Sequence, residues 1–270
     1  MHPALSEMLE FVREDAGFWD VTSESLVPED AEARAEIVVK QECVAAGLRE
    51  LRALCEHLGV ECTTTEDGSR VSAGSRLAEL QGNARTLLLL ERTLLNMLMR
   101  MSGIATATRR LAEVAGRYGV RVAGTRKTTP GFRYFEKRAI AVGGGDPHRF
   151  RLDDAVLIKH NHLRFASLRE AIRLARGVSF TKLVEVEVSS VEQALLAAEA
   201  GADAVMLDNF TPEEVERVMG EIGGVLVEVS GGITPENIES YARLKPHVIS
   251  TSWMCTSAPW VDMSMRITEP

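Results

Sequence analysis

The sequence predicts an α/β protein in which a smaller N-terminal α+β layer precedes a parallel βα barrel of fewer than eight strands. Three observations lead there. In the second half, short apolar, β-branched runs alternate with helix-start signals, the pattern of βα units feeding a parallel sheet. The residues bearing charge or a reactive group fall at or just past the C-terminal ends of those runs, where a βα barrel gathers its site. No G-x-G-x-x-G follows the first run, so an open dinucleotide-binding sheet is disfavoured.

Each element has its own justification. AEIVVKQECVAAG, within 32–47, reads as strand turning at Gly47, and LRELRALCEHLG (48–59) has the apolar spacing of a helix. VECTTTEDGSRVSAGSRLAEL (60–80) adds a further strand and an Asp-Gly turn. A long helix is predicted over 83–101, with the domain boundary at Ser102-Gly103. The N-terminal domain is thus 1–102 and the barrel 103–257, and the tail 258–270 is expected to pack back on the N-terminal domain. The barrel runs are VRVAGTR to Arg126, DAVLIK to Lys159, KLVEVEV to Val188, DAVMLDN to Asn209, GVLVEVSGG to Gly232 and HVISTS to Ser252, the later ones about every 22 residues. Ser167 with Glu170, Ser189 with Glu192, and Thr211 with Pro212 and Glu214 read as capping boxes, and Thr234-Pro235 repeats the Thr-Pro start.

Composition narrows the function. With 270 residues, 45% of them hydrophobic, the chain can bury a full core. Cys43, Cys55, Cys62 and Cys255 form no C-x-x-C pair and no zinc-ligand spacing, and read as reduced thiols of a cytoplasmic protein. MHPALSEMLEFVRED lacks the basic start and apolar core of a signal peptide. TLLLLERTLLNMLMRM is broken by Glu91, Arg92 and Arg100, which makes it a buried helix and not a membrane span. The net charge is -8, yet ten Lys/Arg stand against four Asp/Glu between 121 and 164. Nucleic-acid binding brings a basic domain with interleaved aromatics; here the flanks are acidic, so a small anion held in a pocket fits better.

The candidate residues follow from that patch. TRKTTPG sets Arg126 and Lys127 at a strand end, where arginine grips a carboxylate or phosphate by its planar fork and lysine acts as a point charge; alone, a solvated turn explains them as well. GGGDPHRF adds His148 and Arg149 after three glycines whose amides can approach an anion. Lys159 ends an apolar run and delivers its ammonium to the strand end. His160 and His162 lack a third partner for a metal, so ordinary polar contacts are expected. Glu185 and Glu187 share one strand face, and Asp208 with Asn209 ends another strand; such carboxylates bind hydroxyls, hold magnesium or stabilise a developing cation, unless one simply neutralises Lys159. Ser230, Gly231 and Gly232 read as a phosphate cradle or a plain glycine turn. No Ser-His-acid ordering and no P-loop is present.

Taken in order, WDVTSESLVP, ERTLLNMLMRMSGIATAT, TRKTTPG, EKRAIAVGGGDPHR, VLIKHNH, EVEV, MLDN and VSGGI resemble the quinolinate phosphoribosyltransferase family, the decarboxylating nicotinate-nucleotide pyrophosphorylases, over nearly the whole chain. The resemblance implies a type II phosphoribosyltransferase, with an N-terminal α/β sandwich, an incomplete seven-stranded α/β barrel, and a homodimer with shared active sites. It assigns Arg126, His148, Arg149 and Lys159 to the quinolinate carboxylates, with Arg92 entering from the partner subunit. Lys127, Glu187 and Asp208 go to phosphoribosyl pyrophosphate and its magnesium, and Ser230, Gly231 and Ser252 to the 5'-phosphate. Lys127, Lys159, Glu187 and Asp208 become the catalytic set, with neither nucleic acid nor membrane as partner.

The chain also departs from the family. Lys159-His160-Asn161-His162 stands where the family reads KDNH, and STSWMCTS replaces a motif like SVGALTHS, putting Ser252 for a glycine and Thr256 for a histidine. These changes keep in view a paralogue acting on another pyridine or nucleobase acid and a catalytically silent nucleotide-binding dimer, and Lys159 at the end of an apolar strand keeps a Schiff-base aldolase as a third rival.

Overall fold

A computed structural model describes residues 2–269. The chain divides into two compact units: one takes the chain up to Ala107, Thr129–Gly143 and the segment from Ala258, and the other takes Thr108–Thr128 and Gly144–Ser257.

In the first unit, α1 (Leu5–Ala16) and α2 (Val21–Leu26) precede β1 (Glu32–Val39), β2 (Cys43–Val44), α3 (Leu48–His57), β3 (Glu61–Thr64), β4 (Arg70–Val71) and β5 (Arg76–Asn83). β1 alternates in the period of a half-buried strand: Ala33, Ala35, Ile37 and Val39 point into the core, while Glu32 and Arg34 stay exposed. It sits between β5 and the C-terminal β12 (Met263–Glu269), antiparallel to both, in the order β12-β1-β5-β3. The tail is thus a structural strand of this unit. Leu48, Leu51, Leu54 and Cys55 bury one stripe of α3, each leucine worth about 1.5–3 kcal/mol.

α4 runs unbroken from Ala84 to Gly116, beyond the predicted end at 101 and through the predicted boundary at Ser102-Gly103. The reason lies in packing. A Cβ on Gly103 would lie 2.1 Å from the carbonyl oxygen of Pro259, so the glycine admits the C-terminal segment against the helix instead of ending it. α5 (Arg133–Val142) also belongs to this unit, where Glu136 is fully buried against Arg100 at 2.6 Å and accepts from both the N–H and the hydroxyl of Thr129.

The second unit is the barrel. β6 (Arg121–Ala123), β7 (Val156–Ile158), β8 (Val184–Val188), β9 (Ala204–Asp208), β10 (Leu226–Ser230) and β11 (Val248–Ser250) form one parallel sheet ordered β6-β11-β10-β9-β8-β7. Among the described residues six strands are formed, where the resemblance implies seven. At the seventh position Asp146 makes a single parallel bridge to Ala123, because three glycines before it and Pro147 after it supply neither side chains to pack nor a continuous row of N–H donors.

α6 (Leu168–Arg176), α7 (Val191–Glu199) and α8 (Pro212–Glu221) connect the strands. Thr211 and Glu214 make the reciprocal capping box, and Ser167 accepts from Glu170 N–H. The predicted Ser189 start moves by one: Ser190 accepts from Gln193 N–H, while Gln193 Oε1 receives Ser189 N–H. Thr234-Pro235 opens a turn; α9 (Ile238–Ala242) begins only after Asn237 accepts Thr234 N–H, and α10 (Trp253–Thr256) follows β11. Among the described residues no helix is long and apolar enough to cross a membrane.

Candidate active site

Inward-facing positions recur at period two along the barrel strands and build the site in layers. Glu187 on β8, Asp208 on β9 and Ser230 on β10 stand at the strand ends; Glu185, Met206 and Glu228 lie one layer deeper, with both glutamates buried. A cavity of about 300 Å³ opens on the upper layer and is lined by Arg126, Lys127, His148, Arg149, Lys159, Glu187, Asp208 and Ser230, among others. Thr125, Lys127, Asp208 and Ser230 also line a neighbouring cavity of about 210 Å³, completed by Gly231, Gly232, Ser252, Trp253 and Thr256.

Most predicted site residues therefore meet. Lys159 and Glu187 form an ion pair, so Glu187 is the strand-end carboxylate that meets this lysine. His160 is exposed with Nδ1 3.9 Å from Glu187, and His162 Nδ1 accepts the Lys159 N–H at 2.8 Å, holding the turn beyond β7. Neither histidine joins a metal cluster among the described residues.

Arg126 and Arg149 give the cavity its electrostatic character. Burial, and then the charge of Arg126, hold Arg149 below the ordinary arginine range. Arg126 Nε is buried with no hydrogen-bond partner among the described residues, which is the signature of a donor awaiting an acceptor. His148 is the opposite case. Burial alone would push it down, but hydrogen bonds and charge from Glu185 and Glu228 outweigh that and raise it to about 10, so it is an imidazolium at neutral pH. Its Nε2 lies 3.0 Å from Glu228 and 3.6 Å from Glu185. These three residues present ligand atoms within 4.8 Å of one another, yet a protonated histidine offers a cation no lone pair.

The glycine turn has a steric cause. Gly231 adopts φ +96°, and a Cβ there would lie 2.3 Å from Asn209 Oδ1. Asn209 itself sits at φ 60°, donates its N–H to Ser230 and its side-chain amide to Asp208, and so ties the β9 and β10 ends together. No helix starts directly after Gly232, so this turn offers its backbone amides without a helix terminus of its own, while Ser252 and Trp253 at the start of α10 line the same cavity. Ser252 has φ -83°, a conformation open to any residue, so serine in the glycine position of the resembled motif costs the backbone nothing.

Arg92 is not among the residues lining either strand-end cavity; it lines a separate cavity of the first unit with Phe11, Glu14, Asn96 and Arg100, its side chain mostly exposed. Sequence reasoning missed Glu228 and Ser250, whose hydroxyl donates to Ser230 at 2.9 Å. The signal for Glu228 was available: it precedes Ser230 by two, on the same strand face.

A parallel βα sheet that converges arginines, lysines and a histidinium at its strand ends, beside two carboxylates and a glycine turn, defines an enzyme scaffold for ligands carrying carboxylates and phosphates together. The chain belongs to the quinolinate phosphoribosyl transferase family: residues 20–102 match its N-terminal domain and residues 104–266 its C-terminal domain. It is 45% identical over 269 residues to the probable nicotinate-nucleotide pyrophosphorylase [carboxylating] of Methanothermobacter thermautotrophicus, covering 96% of each chain. It is 42% identical to the rat nicotinate-nucleotide pyrophosphorylase [carboxylating], over 90% of this chain and 84% of that one. Among solved structures, NadC from Streptococcus pyogenes superposes with a TM-score of 0.94 at 35% identity, covering 100% of this chain and 99% of that one.

Proposed function

We propose that the protein transfers the phosphoribosyl group of phosphoribosyl pyrophosphate to quinolinate with decarboxylation, giving nicotinate mononucleotide, pyrophosphate and carbon dioxide for de novo NAD biosynthesis. One observation carries this reading: Arg126, His148, Arg149 and Lys159 line one cavity, and that cavity shares Lys127, Asp208 and Ser230 with the glycine-turn cavity beside it. A dicarboxylate in the first and a phosphate in the second place a pyridine ring beside a ribose. The relatives' names describe the same conversion in reverse.

The residues divide the chemistry. Arg126, Arg149 and His148 fix the carboxylates and set the ring nitrogen against ribose C1. As the C1–pyrophosphate bond breaks, Glu187 and Asp208 face the oxocarbenium-like centre while Lys127 takes up charge on the departing pyrophosphate. The ring nitrogen bonds C1 and becomes cationic. The electron pair of the bond to the C2 carboxylate then stays on the ring as carbon dioxide leaves, and C2 takes a proton. The oxygen donors Glu187 and Asp208 suit a hard cation, since magnesium is held by one or two carboxylates plus substrate phosphates. When bound, magnesium supplies charge neutralisation on the pyrophosphate.

We assign Arg92 to a partner subunit's site, which makes the working form a homodimer; its mostly exposed guanidinium outside both strand-end cavities supports this. Free cysteines support a reducing, cytoplasmic setting. Lys159 is engaged by the Glu187 carboxylate instead of standing in the apolar pocket that activates a Schiff-base amine, which counts against that rival. The test is a coupled assay with quinolinate, phosphoribosyl pyrophosphate and magnesium, following nicotinate mononucleotide and carbon dioxide against a nicotinate control. Turnover with quinolinate alone is expected; turnover with neither acid, in protein that binds phosphoribosyl pyrophosphate, points to the paralogue or the silent dimer.

A further inference from the structure

His148 is held with unusual care for a residue in a glycine-rich loop. It occupies φ 53°, a conformation costly for a residue with a side chain, and its N–H donates to Asp146 Oδ1 at 2.7 Å to keep it there. Nε2 faces Glu228 and Glu185, which come from β10 and β8 with β9 between them. Two buried carboxylates with one cation between them are costly to assemble unless the cation is fixed. Both glutamates are buried, and one Glu228 oxygen has no partner among the described residues. With Nε2 occupied, His148 Nδ1 has no hydrogen-bond partner among the described residues, and an imidazolium donates from both nitrogens.

We propose that Glu228, backed by Glu185, is a positioning residue that keeps His148 an imidazolium and leaves its Nδ1–H free for a carboxylate of the ligand. This rests on the dicarboxylate reading above. The charged groups around His148 are Asp146 and Arg149 on its own loop and Glu185 and Glu228 on the strands; Arg126, Lys127, Lys159, Glu187 and Asp208 share the cavity. Among the described residues, the carboxyl groups of Glu185 and Glu228 alone lie against the ring, so they decide its charge. The consequence is a carboxylate anchor whose strength stays constant across neutral pH, where an ordinary histidine would lose its charge.

The experiment has two parts. In the first, protein with isotope-labelled histidine is titrated by NMR, with His148→Gln identifying the resonance. His148 is expected to remain doubly protonated through pH 9 in the unaltered protein and to titrate at lower pH in Glu228→Gln, with the double Glu185→Gln/Glu228→Gln variant lower still. In the second, quinolinate affinity is measured against pH. If His148 falls to its ordinary value of about 6.5, the double variant loses up to about 30-fold at pH 8 but less than about two-fold at pH 6, with phosphoribosyl pyrophosphate affinity unchanged. An ordinary His148 titration in the unaltered protein overturns the inference without any ligand present. So does an affinity loss equal at pH 6 and pH 8, which is what a merely structural role produces. If the unaltered protein fails to bind quinolinate, the functional reading falls, while the His148 titration still decides its charge.

Discussion

Replacing Arg126 by methionine separates the cost of this site from its use. In the free protein the Arg126 Nε is buried without a partner, and its charge bears on Arg149. Arg126→Met keeps most of the apolar stem and removes the guanidinium. An unsatisfied buried donor costs about 1–3 kcal/mol, and the lost stem contacts offset part of the relief, leaving a net gain of about 1 kcal/mol. For a chain of this size that raises Tm by about 2–4 °C. Binding moves the other way. Losing one partner of a desolvated charge pair costs about 2–4 kcal/mol, and at 1.4 kcal/mol per tenfold this weakens quinolinate by about 30- to 700-fold. Differential scanning calorimetry and isothermal titration on the same preparation read both numbers. A lower Tm together with an unchanged quinolinate Kd refutes the reasoning, because Arg126 would then be a structural residue.

Other perturbations reach different parts of the molecule. Gly231→Ala forces a side chain into φ +96° and against Asn209, costing about 1–2 kcal/mol in backbone strain before any clash is relieved; the KM for phosphoribosyl pyrophosphate should rise at least about tenfold, and an unchanged KM removes the turn from the phosphate site. Gly103→Ala sets a methyl 2.1 Å from the Pro259 carbonyl oxygen, so thermal unfolding should show a loss of about 1–3 kcal/mol, and an unaltered Tm contradicts the packing account. Mixing Arg92→Ala with Arg126→Ala protein should restore activity through hybrid dimers; verified subunit exchange with no recovery rules out the shared site. Because His148 is raised in the folded state, to about 10, its contribution to stability is complete below its ordinary value of about 6.5 and is lost as pH rises through about 10. Denaturant midpoints at pH 6, 8 and 10 should therefore bring His148→Gln and the unaltered protein together, and a constant gap sinks the assignment.

The parts of this architecture that are local could be read from the sequence. The β8 to β10 runs show both period and polarity, because each strand's last inward residue, Glu187, Asp208 or Ser230, interrupts an apolar run. What stayed hidden depends on partners distant in the chain. Gly103 looks like a helix breaker until Pro259 is seen beside it, so the end of α4 was placed too early. The six apolar runs of the barrel are the six strands that form; the seventh came from the resemblance alone, and Asp146 supplies only a bridge in its place. Glu228 shares a strand face with Ser230, a signal the sequence does carry, but the histidine that faces it lies 80 residues earlier and only the fold brings the two together.

The antiparallel pairing of β12 with β1 fixes the order in which the chain can mature. Residues 263–269 pair with residues 34–39, so the first unit's sheet cannot be completed until the polypeptide beyond residue 257 has been synthesised. The barrel, whose strands lie between residues 121 and 250 and mostly pair with near neighbours in the chain, has all its segments available earlier. During synthesis the barrel can therefore fold while the N-terminal sheet still waits, with β1 presenting an unpaired edge of the kind that recruits other chains. Loss of the final strand would leave that edge open permanently, and nascent-chain aggregation rather than impaired chemistry would be its first symptom.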